Sequence, residues 1–268
     1  MITIAVCAHD LISGGRRRYL RAALESVSRQ TLPPRELLLF DDGSTDGTAD
    51  WVAAQRFPNL RVIRSKRNLG SARLRNRAIR EARGELVGFL DSDDLFYPRY
   101  LEKMSAAFAD ARVMAAVADL DDIDSKGAVL AGKAVPRRAD APPPWYAKAT
   151  GLRYLPGFSS LLFRRRVFSE IGFLDEGLRR AGDDADILYR IGLRFGKAAL
   201  RFVDGPLMAY RKHDGPHLTE FVWSLLGRRS GGLRSTAASC AGLGPAARET
   251  ALDLCQFAHK HGLHPDRR

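Results

Sequence analysis

Aspartates crowd together at two points in the first hundred residues, Asp41-Asp42 and Asp91-Ser92-Asp93-Asp94. Carboxylates this close resist ionising together, and a divalent cation relieves their repulsion. Hard cations prefer oxygen ligands. Magnesium or manganese takes one or two carboxylates plus substrate phosphates. Asp91 and Asp93 are two residues apart, so on an extended strand they share a face and could hold one cation beside a ribose. The same residue types also suit an acidic turn or a helix N-terminus, with Asp93 or Asp94 capping the helix near Pro98.

The elements that must position these clusters read as alternating strands and helices. Short apolar runs at Ile2 to Cys7, Leu37 to Phe40, Leu60 to Ile63 and Leu86 to Leu90 have strand length. Between them, Leu20, Leu24 and Val27 recur at helical spacing, Trp51 and Val52 lie in a helix ending before Pro58, and Ser71 to Ala82 is a helix stopped by Gly84. This alternation predicts an α/β fold with a mostly parallel sheet covered on both faces. Ligands of such sheets bind beyond the carboxyl ends of the strands. Both acidic clusters terminate strands, so a parallel sheet brings them to one edge.

The pattern loosens after Pro98. Arg99 to Phe108 reads as a helix. Ala115 to Ala118 is expected to pair with Ala128 to Ala131 around the Asp124–Gly127 turn, and Val135 to Thr150, rich in proline, reads as a long loop or lid. Ser159 to Phe163 is expected as a strand, Arg165 to Ile171 and Ala185 to Phe195 as helices, and Val203 to Tyr210 as a last strand. From about Leu218 the chain shows helical patches and many arginines.

The 268 residues include 45% hydrophobic and 28% charged side chains, as a folded soluble domain requires. A net charge of +12 favours phosphates, nucleic acid or an acidic membrane surface without choosing among them. Cys7, Cys240 and Cys255 form neither a disulfide framework nor a zinc spacing. Met1 to Asp10 lacks a basic leader, and no apolar run has membrane-spanning length. A cytoplasmic protein is expected, with any membrane contact peripheral to the inner face.

Six segments in order carry a resemblance to the family 2 glycosyltransferases of the GT-A fold. They are Leu39-Phe40-Asp41-Asp42-Gly43-Ser44-Thr45-Asp46; Asn68-Leu69-Gly70 with Arg75-Asn76; Gly84 to Asp94; Ser159 to Phe163 with Leu174-Asp175-Glu176; Gly182-Asp183-Asp184-Ala185-Asp186; and Tyr210-Arg211-Lys212-His213. The resemblance spans about residues 1 to 215. It implies a Rossmann-like central sheet, with residues 1–98 as the nucleotide-sugar half, 99–217 as the acceptor half, and 218–268 as a small C-terminal helical extension.

Residue roles follow from the same resemblance. Asp42 and Arg75 would contact the nucleotide, with Cys7, Asp10, Asp91 and Ser92 nearby. Asp93 would ligate Mn2+ or Mg2+, assisted by Asp91 and His213. Asp184 would be the general base that deprotonates the acceptor hydroxyl, with Asp183 beside it in place of the family's glutamate. One base attacking opposite the leaving group implies inversion. Trp145, Gly157 and Phe158 would line the acceptor site, where Tyr146 and Tyr154 either stack on a sugar or belong to the core. The donor would be a nucleoside diphosphate sugar, UDP being the commonest in the family, and the acceptor a hydroxyl. A homo-oligomer is compatible with the chain. The first strand ends in Val6-Cys7-Ala8-His9-Asp10, unlike the family's usual turn, which leaves the choice of base open. A nucleic-acid-binding protein lacks its recognition motifs here, and a sugar nucleotidyltransferase lacks its glycine-rich N-terminal loop.

Overall fold

The structure is a computed structural model that describes residues 1–130, 144–152, 154–178, 182–212 and 260–261. The strands are β1 (Ile2–Ala8), β2 (Glu36–Asp41), β3 (Leu60–Arg64), β4 (Leu86–Asp91), β5 (Leu95–Phe96), β6 (Ala115–Ile123), β7 (Leu161–Arg164) and β8 (Leu200–Arg211). The helices are α1 (Arg17–Ser28), α2 (Thr48–Ala53), α3 (Ser71–Glu81), α4 (Tyr100–Ala106), α5 (Pro144–Thr150), α6 (Val167–Ile171) and α7 (Asp183–Phe195).

All eight strands join one sheet in the order β3-β2-β1-β4-β7-β6-β8-β5. The first four are mutually parallel, as the alternating pattern predicts. The sheet is mixed beyond them, because β7 runs antiparallel to both β4 and β6. In register, Cys7 stands beside both Phe40 and Asp91, and Ala8 beside Asp41. Parallel strands place their carboxyl ends together, so the two acidic clusters share an edge.

Successive residues of each central strand bury to opposite faces. Leu37 and Leu39 join the core cluster that also takes in residues of α1 and α4, while Leu38 and Phe40 join the one on the opposite face, with residues of α3, α5 and α7. On the second face α5 and α7 approach closely at Gly192, where an added Cβ would sit 2.5 Å from the Ala149 carbonyl oxygen. Among the described residues no helix is long and apolar enough to cross a membrane.

Several boundaries differ from the sequence reading. Ala115 to Ala118 does not pair with Ala128 to Leu130, and Ala131, the end of that expected strand, lies outside the described residues. Ala115, Ala116 and Ala118 are fully buried in mid-sheet, and β6 pairs with β7 and β8 instead. The expected turn exists, but it closes through a single Ile123–Val129 bridge, with the Asp124 carboxylate accepting from the Lys126 and Ala128 amides. Pro144–Thr150 is a helix, not loop, since proline is well suited to a first helical turn. Phe158–Ser160 is a 3-10 turn, and the strand begins at Leu161. Of the expected extension, only Lys260 and His261 fall within the described residues.

Candidate active site

At the end of β2, Asp42 is buried and organises the next segment. Its two carboxylate oxygens accept from the Leu69 amide at 2.7 Å and the Gly70 amide at 3.0 Å. Gly43 follows with φ of 72°, and a Cβ there would meet the Arg67 backbone at 2.6 Å, so only glycine lets the two loops touch. Asp46 braces the loop after β1 by accepting from the Ile12 and Ser13 amides, both at 2.8 Å. Burial works against its ionisation, but the Thr48 hydroxyl and three amides hold it at about 2. Asp10, at φ of 44°, accepts from the Thr45 amide at 2.8 Å. The two loops thus lock together and wall a cavity of about 600 Å³ lined by Cys7, His9, Asp42, Leu69, Gly70 and Glu176. A carboxylate has about four acceptor positions, so Asp42 can still take a further donor. Burial pushes the Cys7 thiol up to about 12 despite the opposing charge of Arg75, which keeps it protonated and neither nucleophile nor thiolate ligand.

Arg75, on α3, joins the two acidic motifs. Its Nη2 donates to Asp91 at 3.0 Å and its Nη1 to Asp183 at 3.1 Å. Asp91 and Asp183 lie 92 residues apart in sequence and meet only through this guanidinium. The guanidinium rests 4.2 Å above the Phe158 ring. That contact corrects the acceptor assignment of Phe158. Its side chain is only 2% exposed and packs edge-on against Phe89, so it is a platform for Arg75 and has no face for a sugar. Tyr146 and Tyr154 are likewise core residues. Gly157 lies in extended backbone just before the 3-10 turn, and Trp145 falls on α5.

Asp183 and Asp184 open α7, next to the left-handed Gly182. Burial raises Asp183 against the pull of Arg75. Burial and the neighbouring Asp183 charge raise Asp184 to about 7, with the Ala185 amide opposing. A carboxyl group poised near neutrality is suited to general acid–base work.

The acidic turn after β4 is held from two sides. The Asp91 amide donates to Ser159 Oγ at 3.0 Å. From β8, Arg211 donates its amide to Asp94 Oδ1 at 3.0 Å, its Nε to the Asp93 carbonyl at 2.8 Å and its Nη1 to the Asp124 carbonyl at 2.8 Å. Arg211 belongs to the closing motif whose histidine drew the functional reading; within the described residues it is the arginine that reaches the site. Asp94 is 1% exposed, and burial with the Asp91 and Asp93 charges raises it well above the carboxylate range. Asp91, Ser92 and Asp93 are partly exposed at this turn, whereas His213 lies outside the described residues.

Asp91 and Asp93 fit a hard divalent cation by donor chemistry. Both are carboxylates, whose charges add to burial in raising Asp94, and Mg2+-type sites need only one or two such groups beside substrate phosphates. Among the described residues no group of three or more protein ligands converges, so phosphate oxygens would complete such a shell. Sequence reasoning missed Asn76, whose side chain pairs with both the Leu174 amide and carbonyl at 2.9 Å and so ties α3 to the cleft rim at Glu176. Its place in the Arg75-Asn76 motif was the available signal.

The family model "Glycosyl transferase family 2" matches residues 5–171. The Bacillus subtilis glycosyltransferase EpsH is 29% identical over 198 residues, covering 73% of this chain and 57% of EpsH. The Myxococcus xanthus O-antigen biosynthesis protein RfbC is 29% identical over 199 residues, covering 71% of this chain but 14% of RfbC. The chain thus spans only part of the length of these curated relatives. Among solved structures, S. aureus TarS in complex with UDP-GlcNAc superimposes with a TM-score of 0.60 at 18% identity, covering 97% of this chain and 72% of TarS.

Proposed function

The chain belongs to glycosyl transferase family 2, and from that premise we propose that it transfers a sugar from a UDP-sugar to an acceptor hydroxyl with inversion. The observation that carries the reading is the Arg75 bridge, which sets the Asp91 turn and the Asp183-Asp184 pair around one cleft. The cavity beside Asp42 receives the nucleotide, and the loops held by Asp42 and Asp46 wall it. UDP is the preferred nucleotide because TarS, which shares the fold, has been solved with UDP-GlcNAc.

Asp184 takes the proton of the incoming hydroxyl as it attacks the anomeric carbon, a contribution of roughly 10² to 10⁴-fold for a placed base. Asp183 adds to burial in raising Asp184 to about 7, and it anchors Arg75. Asp91 and Asp93 would hold Mn2+ or Mg2+, which when bound neutralises charge on the departing diphosphate. Attack from the side opposite the leaving group inverts the anomeric centre. The acceptor would enter past Gly157 and α5, and the chain's +12 charge supports an anionic acceptor or peripheral contact with an anionic membrane.

A thermal-shift panel of nucleoside diphosphates and their sugars, with and without Mn2+, tests the reading. A UDP-sugar should raise the melting temperature, since a ligand that binds only the native state stabilises it. Asp93→Ala should erase the metal-dependent part of the shift. NMR of the product should show the inverted anomer, and a retained configuration would rule the mechanism out.

A further inference from the structure

The base helix carries a third acidic residue, Asp186, which the transfer chemistry does not use. It is fully buried, at 0% exposure. Its Oδ2 accepts from Arg190 Nε at 2.8 Å, while its Oδ1 receives Lys260 Nζ at 3.0 Å and lies 2.7 Å from His261 Nε2. Lys260 also donates to Asp175 at 2.9 Å, next to Glu176 on the cleft rim. The His261 ring meets Tyr189 of α7 edge-on, 5.0 Å between centroids. Burial alone would raise Asp186, but the His261 hydrogen bond and the charges of Arg190 and Lys260 bring it down to about 2.

These contacts close a ring of three bridges around the cleft. Arg75 links α3 to Asp183 of α7. Asn76 links α3 to Leu174. Lys260 links the neighbouring Asp175 back to Asp186 of α7. The third bridge alone is supplied from far along the chain, about 75 residues beyond Asp186. Resting on the glycosyl-transfer reading above, we infer that Lys260 and His261 are positioning residues: they clamp the first turn of α7 to the donor-cleft rim and so fix where Asp184 stands relative to the donor.

Arg190 remains on Asp186 when Lys260 is removed, and it also holds the Ile171, Gly172 and Phe173 carbonyls. The buried carboxylate therefore keeps one charged partner, and the helix survives loss of the clamp. What is lost is the direct Lys260 link from Asp186 to Asp175 beside Glu176, while Arg190 still holds α7 to the chain at Phe173. Small misplacements of a catalytic group cost far more in rate than in stability, about 10²-fold per ångström.

The test compares Lys260→Ala, His261→Ala and Lys260→Arg in the full chain. Expected for the alanine variants is a fall in kcat of about tenfold or more with donor KM changed less than about twofold. The Asp186 amide, bonded to the Gly182 carbonyl at 2.8 Å, should exchange its hydrogen faster in both, and Lys260→Arg should restore both properties. Unchanged kcat with unchanged exchange overturns the inference. So does a loss of kcat that tracks a global fall in melting temperature and is not rescued by arginine. If the wild type turns over no sugar nucleotide, the functional reading fails, while the exchange measurement still decides whether the clamp exists.

Discussion

At the scale of single residues, the site is governed by how few charges neutralise many carboxylates. Arg75 is the cation between Asp91 and Asp183, and burial gives that pairing its weight. Asp184 sits beside this pair and is raised from 3.8 to about 7 by burial and by Asp183. In its proposed role as base it works only when ionised, so kcat should climb with pH through about 7 and level off above it. Asp183→Asn removes the neighbouring negative charge, so it should move this limb to lower pH. A pH–rate profile of both proteins checks the direction. The stability effect has the opposite sign. A carboxyl group whose folded value is raised contributes fully below its unfolded value and loses that contribution as pH rises through the folded one. Asp184→Asn should therefore abolish turnover yet stabilise the fold, by an amount that grows from pH 3.8 to about 7. Chemical denaturation across that range would show it, and a variant that grows less stable as pH rises would contradict it.

At the scale of elements, the catalytic geometry depends on two close approaches. Gly192 lets α7 lie against α5, and Gly43 lets the loop after β2 touch the chain at Arg67. The two should fail differently. Gly192→Ala pushes against a backbone carbonyl in the interior, so it should cost about 1–3 kcal/mol of stability and shift α7 with its base. Gly43→Ala adds strain at a positive φ beside the nucleotide cavity, so donor affinity should suffer more than kcat. Denaturation midpoints together with donor KM and kcat for each variant separate these outcomes.

At the scale of the whole molecule, one mixed sheet carries both halves of the site. The parallel half supplies Asp42 and the Asp91 turn; the antiparallel β7 joins β4 to β6 in mid-sheet and carries the chain on toward α7. The +12 charge is spread over a protein whose cleft edge is acidic. Nucleic acid should therefore bind weakly and non-specifically. A gel-shift titration should show no complex at ~0.15 M salt, where screening acts within about 8 Å, while a UDP-sugar still binds in a chelator-sensitive way. A salt-resistant nucleic-acid complex would contradict this.

The sequence by itself determined the parallel half of the fold and the strand-end position of both acidic clusters. Those follow from local signals: apolar runs of strand length, helical spacing, and glycine or aspartate where the chain must turn. The short motifs also marked Arg75, and they contain Asn76 and Arg211 without giving either a role. Only the tertiary structure decided what these residues touch. Phe158 read as an acceptor-site aromatic, yet the guanidinium of Arg75 covers it. The alanines of β6 read as half a hairpin, yet the sheet takes them into its middle. Asp186, Lys260 and His261 carry no joint signature along the chain, since nothing local relates residues about 75 positions apart. Propensity and periodicity are set by near neighbours, whereas ion pairs and buried contacts are set by which distant surfaces the folded core brings within a few ångströms.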